Sequence, residues 1–350
     1  MPGMEDLAAL PKAHLHLHLT GGMRPSTLAE LAAEQGRRLP AGLLHPGGLE
    51  SVAARGWLKF QRLYDAARDV LRGPEDVRRV LREIAEDERA AGSGWVEVQV
   101  DPSSYAARLG GLTGAVEVVL DGMAQASRET GVGMALVVAA NRTRHPGDAE
   151  TLARVARRFA GRGVVGFGLS NDETRGDTAA FAKAFRIARD AGLIAVPHAG
   201  ELRGPGSVRL ALEHLGPARL GHGVRAVEDP QVVEQLAARG VVLEVCPASN
   251  VALGVAASPA HVPVRLLRDA GVEVALGSDD PLVFRSGLLQ QYASYADLGR
   301  AGLADLAASS IRASTAPAEV RSRLLAGVDD WLAAGPAAAP PAAEGRAGRM

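Results

Sequence analysis

The chain has 350 residues, 47% hydrophobic and 23% charged, with a formal net charge of -1. That length holds one large α/β barrel or two ordinary domains, and the charge balance gives no general pull toward nucleic acid or anionic membranes. Cys246 is the sole cysteine, which excludes an intramolecular disulfide and a multi-cysteine zinc site.

No apolar run is long enough to span a bilayer. The opening MPGMEDLAALPKAH lacks the basic and apolar regions of a signal peptide, so a cytoplasmic protein is expected. In chain order, the first stretch with strong patterning is KAHLHLHLTGG at 12–22. Its two-residue period is that of a strand, with His14, His16 and His18 on one face and the leucines on the other. Gly21 and Gly22 end the strand and let the backbone bend closely. Two imidazoles spaced i, i+2 at a strand end can reach one cation, and neutral imidazole suits zinc.

From Arg24 to about Gly92 the pattern is helical, with apolar residues three and four apart in AELAAEQGRRL and over 77–91. The Gly/Pro-broken section between these runs carries Trp57, Phe60 and Tyr64. It is long enough to form a lid, although aromatics at that spacing read first as helix packing. Beyond it, β-branched runs at 95–100, 133–139, 164–169, 193–199, 219–223, 241–246 and 273–278 alternate with amphipathic helical patterns. Together with the first strand they predict a (β/α)8 TIM barrel over 1–335, with a helical insertion between strands 1 and 2. No G-x-G-x-x-G follows an early strand, which disfavours a doubly wound sheet. Residues 336–350, rich in Pro, Ala and Gly, read as a disordered tail.

Barrel enzymes carry their chemistry at the C-terminal ends of the strands. Polar residues gather at those ends here: His16 and His18, His198 with Glu201, His222, Cys246 to Asn250, and Asp279 with Asp280. Imidazoles and a carboxylate arriving from separate strands can hold one divalent metal and leave a position open, as catalytic zinc sites do. The lysines are Lys12, Lys59 and Lys183. None sits at the end of strand four, where a carboxylated lysine would bridge two metals, so one metal is expected. Cys246 reads as a small buried hydrophobe. His45, His145, His214 and His261 have no motif around them.

The segments KAHLHLHLTGG, PHAGE, LGHG, CPASN and GSDDP, in this order, resemble the adenosine deaminase family over about Leu10 to Leu332. The resemblance implies one Zn2+ per subunit held by His16, His18, His198 and Asp279. It makes Glu201 the proton shuttle to the purine ring nitrogen, and has His222 orient and help deprotonate the attacking water. Asp279 joins these two as a catalytic residue. Asp280 would accept a hydrogen bond at the imidazole edge of the purine, and His18, Thr20 and Asn171 would also contact substrate. His14, where the family commonly has Glu, is expected to play a structural or supporting role.

The implied activity is hydrolytic deamination of adenosine or an adenosine-like nucleoside, a small-molecule purine, with release of ammonia. Two departures bear on the substrate. Thr20 stands where the family usually has the carboxylate that holds the ribose 5′-hydroxyl, and Asn171 replaces the glycine of L-A-G-D-E. Both changes are compatible with a larger 5′ group, as in 6-amino-6-deoxyfutalosine, whose carboxylate would call for an arginine among Arg24, Arg142, Arg144 and Arg285. Adenine is a third substrate to weigh, and a catalytically silent nucleoside-binding relative the remaining alternative. Cytidine-deaminase chemistry is disfavoured, because its zinc site needs P-C-x-x-C.

Overall fold

The computed structural model describes residues 2–44 and 56–335, so His45 and the expected tail at 336–350 lie outside the described residues. The strands are β1 Lys12–His18, β2 Ser93–Val100, β3 Gly133–Asn141, β4 Val164–Ser170, β5 Ile194–Ala199, β6 Arg219–His222, β7 Val242–Val245 and β8 Val274–Leu276. They lie side by side in sequence order, each parallel to the next. Closure happens beyond β8: His18 N donates to Asp279 O and Asp279 N to His16 O, both at 3.0 Å. The seam of the barrel therefore runs through residues expected at the site. This is the (β/α)8 barrel, with the helices Pro25–Glu34, Ala41–Leu44, Trp57–Arg68 and Pro74–Ala90 between β1 and β2.

Parallel strands covered on both faces bury apolar side chains on the helix side, and Val96, Val98 and Val100 of β2 are all buried there. The inward positions of the barrel are polar instead. Arg219 of β6 lies between Glu97 of β2 and Glu244 of β7, bonded to both, and none of the three is more than 1% exposed. An unpaired charge there would be very costly, but each finds its partner. Lower still, the Lys12 ammonium donates to the carbonyls of Leu7, Leu10 and Ala91. Burial lowers its pKa to about 7.

Two expectations change. The pattern AELAAEQGRRL does not stay helical, because the helix stops at Glu34 and Gly36 turns with φ +61°. The larger change is in β1, where His14 does not share a face with His16 and His18. His14 pairs with Val96 and His18 with Gln99, four steps along β1 against three along β2. The extra residue is absorbed between His14 and Leu17 and turns His14 outward. Its Nδ1 meets Glu88 Oε1 at 2.7 Å, on the helix Pro74–Ala90, while Nε2 takes the Ser278 N–H at 3.0 Å. His14 thus braces the backbone just before Asp279, a supporting role of the kind expected.

The aromatics of the insertion divide their work. Phe60 is buried and stacks on Phe284 at 5.3 Å between ring centroids, which is packing. Tyr64, one helical turn later, faces the mouth of the barrel, its ring 6.5 Å from that of His18.

Candidate active site

His16, His18, His198 and His222 come together at the C-terminal end of the barrel. The His16 ring centroid lies 5.4, 4.7 and 5.0 Å from those of His18, His198 and His222. Asp279 completes the cluster: its Oδ1 is 3.2 Å from His18 Nε2 and 3.6 Å from His16 Nε2, and its Oδ2 is 4.0 Å from His222 Nε2. Glu201 Oε1 stands 3.5 Å from His222 Nε2. All six residues expected to hold the metal or carry the chemistry are therefore in one place, five in the same cavity wall and His16 directly behind it.

The crowding is possible because small residues stand where a side chain would collide. A Cβ on Gly221 would come within 2.8 Å of the His16 ring and 3.0 Å of the His198 ring, and one on Gly21 would meet Asp280 Oδ1 at 1.9 Å. The backbone is also bent hard here. His222 and Asp279 hold left-handed conformations at φ +62° and +60°, which non-glycine residues adopt only when their surroundings impose it. Asn171 does the same at φ +80°. It thus keeps the turn for which glycine serves in the family pattern, because asparagine tolerates that region better than most residues.

Charges in this pocket are set by burial and by each other. Burial disfavours a charged His16, yet the neighbouring carboxylates of Asp279 and Glu244, the latter hydrogen-bonded to Nδ1, raise it to about 10. Burial would also raise Asp279, but the imidazoles of His16, His18 and His222 around it hold it well below the usual carboxylate range. Desolvation takes His222 down to about 3, so its ring is neutral at physiological pH. Asn250 Nδ2 donates to His222 Nδ1 at 3.3 Å, which leaves the ring proton on Nε2, facing Glu201 and Asp279. Burial, with the charges of Asp279 and Glu173, pushes Glu201 well above its ordinary value and keeps it protonated. Asp280 is raised in the same way, by burial and then by Asp279.

A cation fits this cluster. His16 Nε2 is buried with no hydrogen-bond partner, although its other nitrogen is fixed by Glu244 Oε2 at 2.8 Å. Such an arrangement sets the tautomer and aims Nε2 inward. His16, His18 and Asp279 offer three ligand atoms within 4.8 Å of one another, as do His16, His198 and His222. Either a proton on His16 or a metal must balance Asp279.

Asn171 lines the cavity and Thr20 sits behind the cavity residue Tyr105, neither as a free group. Thr20 Oγ1 is 2.6 Å from the Tyr105 hydroxyl and fully buried, and Asn171 Nδ2 donates to Gln61 Oε1 at 3.3 Å. Three of the four arginines considered for a substrate carboxylate are engaged elsewhere. Arg24 pairs with Asp87 and Arg285 donates to Leu43 O, while Arg142 is buried behind His198 and donates to its carbonyl. None of the four, Arg144 included, lines the cavity; Arg68 does, with Trp57, Tyr64, Asp101 and Tyr105. The sequence reading also missed Glu244 and Glu173. An acidic residue inside the apolar run VVLEVC was the available signal for the first.

Imidazoles and carboxylates at the C-terminal ends of four barrel strands define the amidohydrolase type of barrel enzyme. The adenosine deaminase family model matches residues 11–331. A Streptomyces coelicolor protein provisionally named adenosine/adenine deaminase is 57% identical over 95% of this chain and 100% of its own. The adenine deaminase of Sinorhizobium fredii is 38% identical over 91% of this chain and 98% of its own. Among solved structures, the adenine deaminase of Arthrobacter aurescens superposes with a TM-score of 0.83 at 29% identity, covering 93% of this chain and 99% of that one. The chain belongs to the adenosine deaminase family. Enzymes of this kind are metal-dependent hydrolytic deaminases.

Proposed function

We propose that the protein removes the 6-amino group of adenosine or an adenosine-like nucleoside by hydrolysis and releases ammonia. The observation that carries this reading is the placement of Glu201: a buried carboxyl with Oε1 3.5 Å from His222 Nε2, at one end of a cavity that Asp279 also lines, where burial raises its pKa. His16, His18, His198 and Asp279 would hold the metal, Zn2+ in this reading. When bound, it would supply the Lewis acidity that lets water lose a proton near neutral pH. Protonated Glu201 gives its proton to the purine ring nitrogen, which prepares C6 for attack. His222 directs its Nε2–H toward the attacking oxygen and steadies charge there. That is a donor's role, in place of the base expected from the sequence. Asp279, the nearest ionised carboxylate, takes the proton that oxygen gives up and passes it to the 6-amino group, whose bond to C6 then breaks to release ammonia while the remaining hydroxyl proton returns to Glu201. Asp280 donates to the acceptor nitrogen N7 on the imidazole edge of the base.

Polar groups continue past those that the base needs. Asp101, Ser104, Tyr105 and Arg68 line the same cavity, and free adenine has nothing to offer them. They favour a substrate with a substituent at N9. A second reading, a substrate enlarged at the 5′ end such as 6-amino-6-deoxyfutalosine, is favoured by Arg68. Its guanidinium reaches the cavity beside the Tyr64 and Trp57 rings and, among the described residues, pairs only with Asp65, half-exposed on the same helix.

The deciding experiment follows ultraviolet absorbance as the zinc-loaded protein meets adenine, adenosine and 6-amino-6-deoxyfutalosine in parallel. Adenosine turnover is expected. Preference for the futalosine would move the assignment to the second reading, preference for adenine would place the protein with its named relatives, and inertness toward all three would overturn the proposal. Thr20→Asp adds the missing carboxylate next to the Tyr105 hydroxyl. It should raise kcat/KM for adenosine relative to the 5′-modified substrate by about tenfold, the value of one charged hydrogen bond. An unchanged ratio would count against the 5′ role given to Thr20.

A further inference from the structure

Glu173 lies on the loop after β4, 1% exposed and outside the cavity wall. Its carboxylate accepts five hydrogen bonds, four from the segment that carries Glu201 and one from Ser207 on the helix that follows. Oε1 takes Gly200 N at 2.6 Å and Ser207 Oγ at 2.5 Å. Oε2 takes Glu201 N at 2.9 Å, Leu202 N at 2.6 Å and Arg203 N at 2.9 Å. Four successive backbone N–H groups thus converge on one side chain. The segment has no regular structure of its own between β5 and the helix Pro205–His214, and it starts from a left-handed Gly200 at φ +73°. Without the carboxylate the Gly200 and Glu201 N–H groups would be buried with nothing to bond.

The clamp is itself held rigid. Asp172, next to Glu173, closes a tight local turn by accepting from Thr174 N at 3.0 Å and Thr174 Oγ1 at 2.6 Å. From the other side, Arg225 N donates to Gly200 O and Arg225 Nη1 to Leu202 O. Those bonds fix carbonyls, so Glu173 alone satisfies the amides. Meanwhile Glu201 Oε1, at the working end, is buried without a partner. Its position depends on its own backbone rather than on contacts made by its carboxyl group.

We propose that Glu173 is a positioning residue for proton transfer, acting on substrate only through Glu201. This rests on the reading that Glu201 is the proton donor. A glutamine at 173 would turn an NH2 group toward Gly200 N–H or toward the three amides at Oε2, and the segment would shift away. A misplacement near 1 Å costs on the order of 10²-fold in rate.

The test is a double-mutant cycle on the zinc-loaded enzyme with Glu173→Gln, Glu201→Gln and the pair, reading kcat, KM and bound metal. Glu173→Gln should lower kcat by about 10- to 100-fold with KM and metal content little changed. In the Glu201→Gln background it should cost nothing more, because groups that act as one unit are not additive. A full additional loss in the double variant, or an unchanged kcat in Glu173→Gln alone, would overturn the proposal. Loss of metal in Glu173→Gln would overturn it too, by tracing the effect to His198. If instead Glu201→Gln itself retained full activity, the reading of Glu201 would fail, whatever Glu173 does. Should Glu173→Gln not fold, Glu173→Asp keeps the charge, withdraws it by one methylene, and enters the same cycle with the same criteria.

Discussion

Glu201→Gln is expected to fold, bind its metal and lose turnover by about 10²- to 10⁴-fold, the range general acid catalysis contributes. Glutamine has the shape of the protonated carboxyl and can still point a donor at the ring nitrogen, so KM should change little. It cannot deliver the proton. Because burial and the charges of Asp279 and Glu173 raise the Glu201 pKa, wild-type kcat should fall as pH rises and the acid form is lost; the variant's residual rate should lack that limb. The same shift makes a statement about stability. A carboxyl with a raised folded pKa contributes stability only below its unfolded pKa, near 4.3, and loses it as pH rises. At neutral pH the Gln variant, which has no proton to retain, should therefore melt at or above the wild-type temperature. Unimpaired turnover by the Gln variant would remove Glu201 from the chemistry.

The barrel was legible in the sequence because it depends on local patterns. Apolar β-branched runs such as 133–139 and 164–169, spaced by helical patterns, give strands and helices whatever their partners. The site was legible for a different reason: barrels put chemistry at strand ends, and the polar residues at those ends are few. His14 escaped this logic. Alternation assigns it to the metal face, but one residue absorbed between His14 and Leu17 reverses its side chain, and nothing within β1 announces that irregularity. It follows from pairing with β2 and from Asp279 occupying the seam.

The electrostatic roles were equally non-local. Burial lowers the pKa of His222 and raises that of Asp280, to which the charge of Asp279 adds, and these residues are apart in sequence and joined only by the closed barrel. Arg68 was overlooked because it belongs to a helix of the insertion that reads as packing. Phe60, on the same helix, packs on Phe284 while also lining the cavity, and Arg68, two turns on, reaches that cavity too.

His16→Ala is expected to lose the metal, and the reason lies behind the ring as much as in front of it. His16 is the link between the cluster and the buried charges of the barrel: its Nδ1 meets Glu244, Glu244 meets Arg219, and Arg219 meets Glu97. Glu97 in turn accepts from Thr315 N and Oγ1, both at 2.7 Å. Each member fixes the next, so the imidazole cannot swing away from the position that faces Asp279. Alanine removes one ligand and strips Glu244 Oε2 of its partner, which costs about 1–3 kcal/mol of stability for a buried acceptor left unpaired. Metal affinity should fall by more than the 10- to 100-fold typical of losing only a supporting group. Metal analysis after dialysis against a weak chelator reads this directly, and full zinc retention would exclude His16 as a ligand. Loading carries its own signature. With His16 raised to about 10 in the metal-free protein, a metal at Nε2 must displace a proton. Zinc added to the wild-type apoprotein in weak buffer at neutral pH should release about one proton per site from His16. Apparent affinity should rise with pH until that proton is gone, and the alanine variant should show no such release.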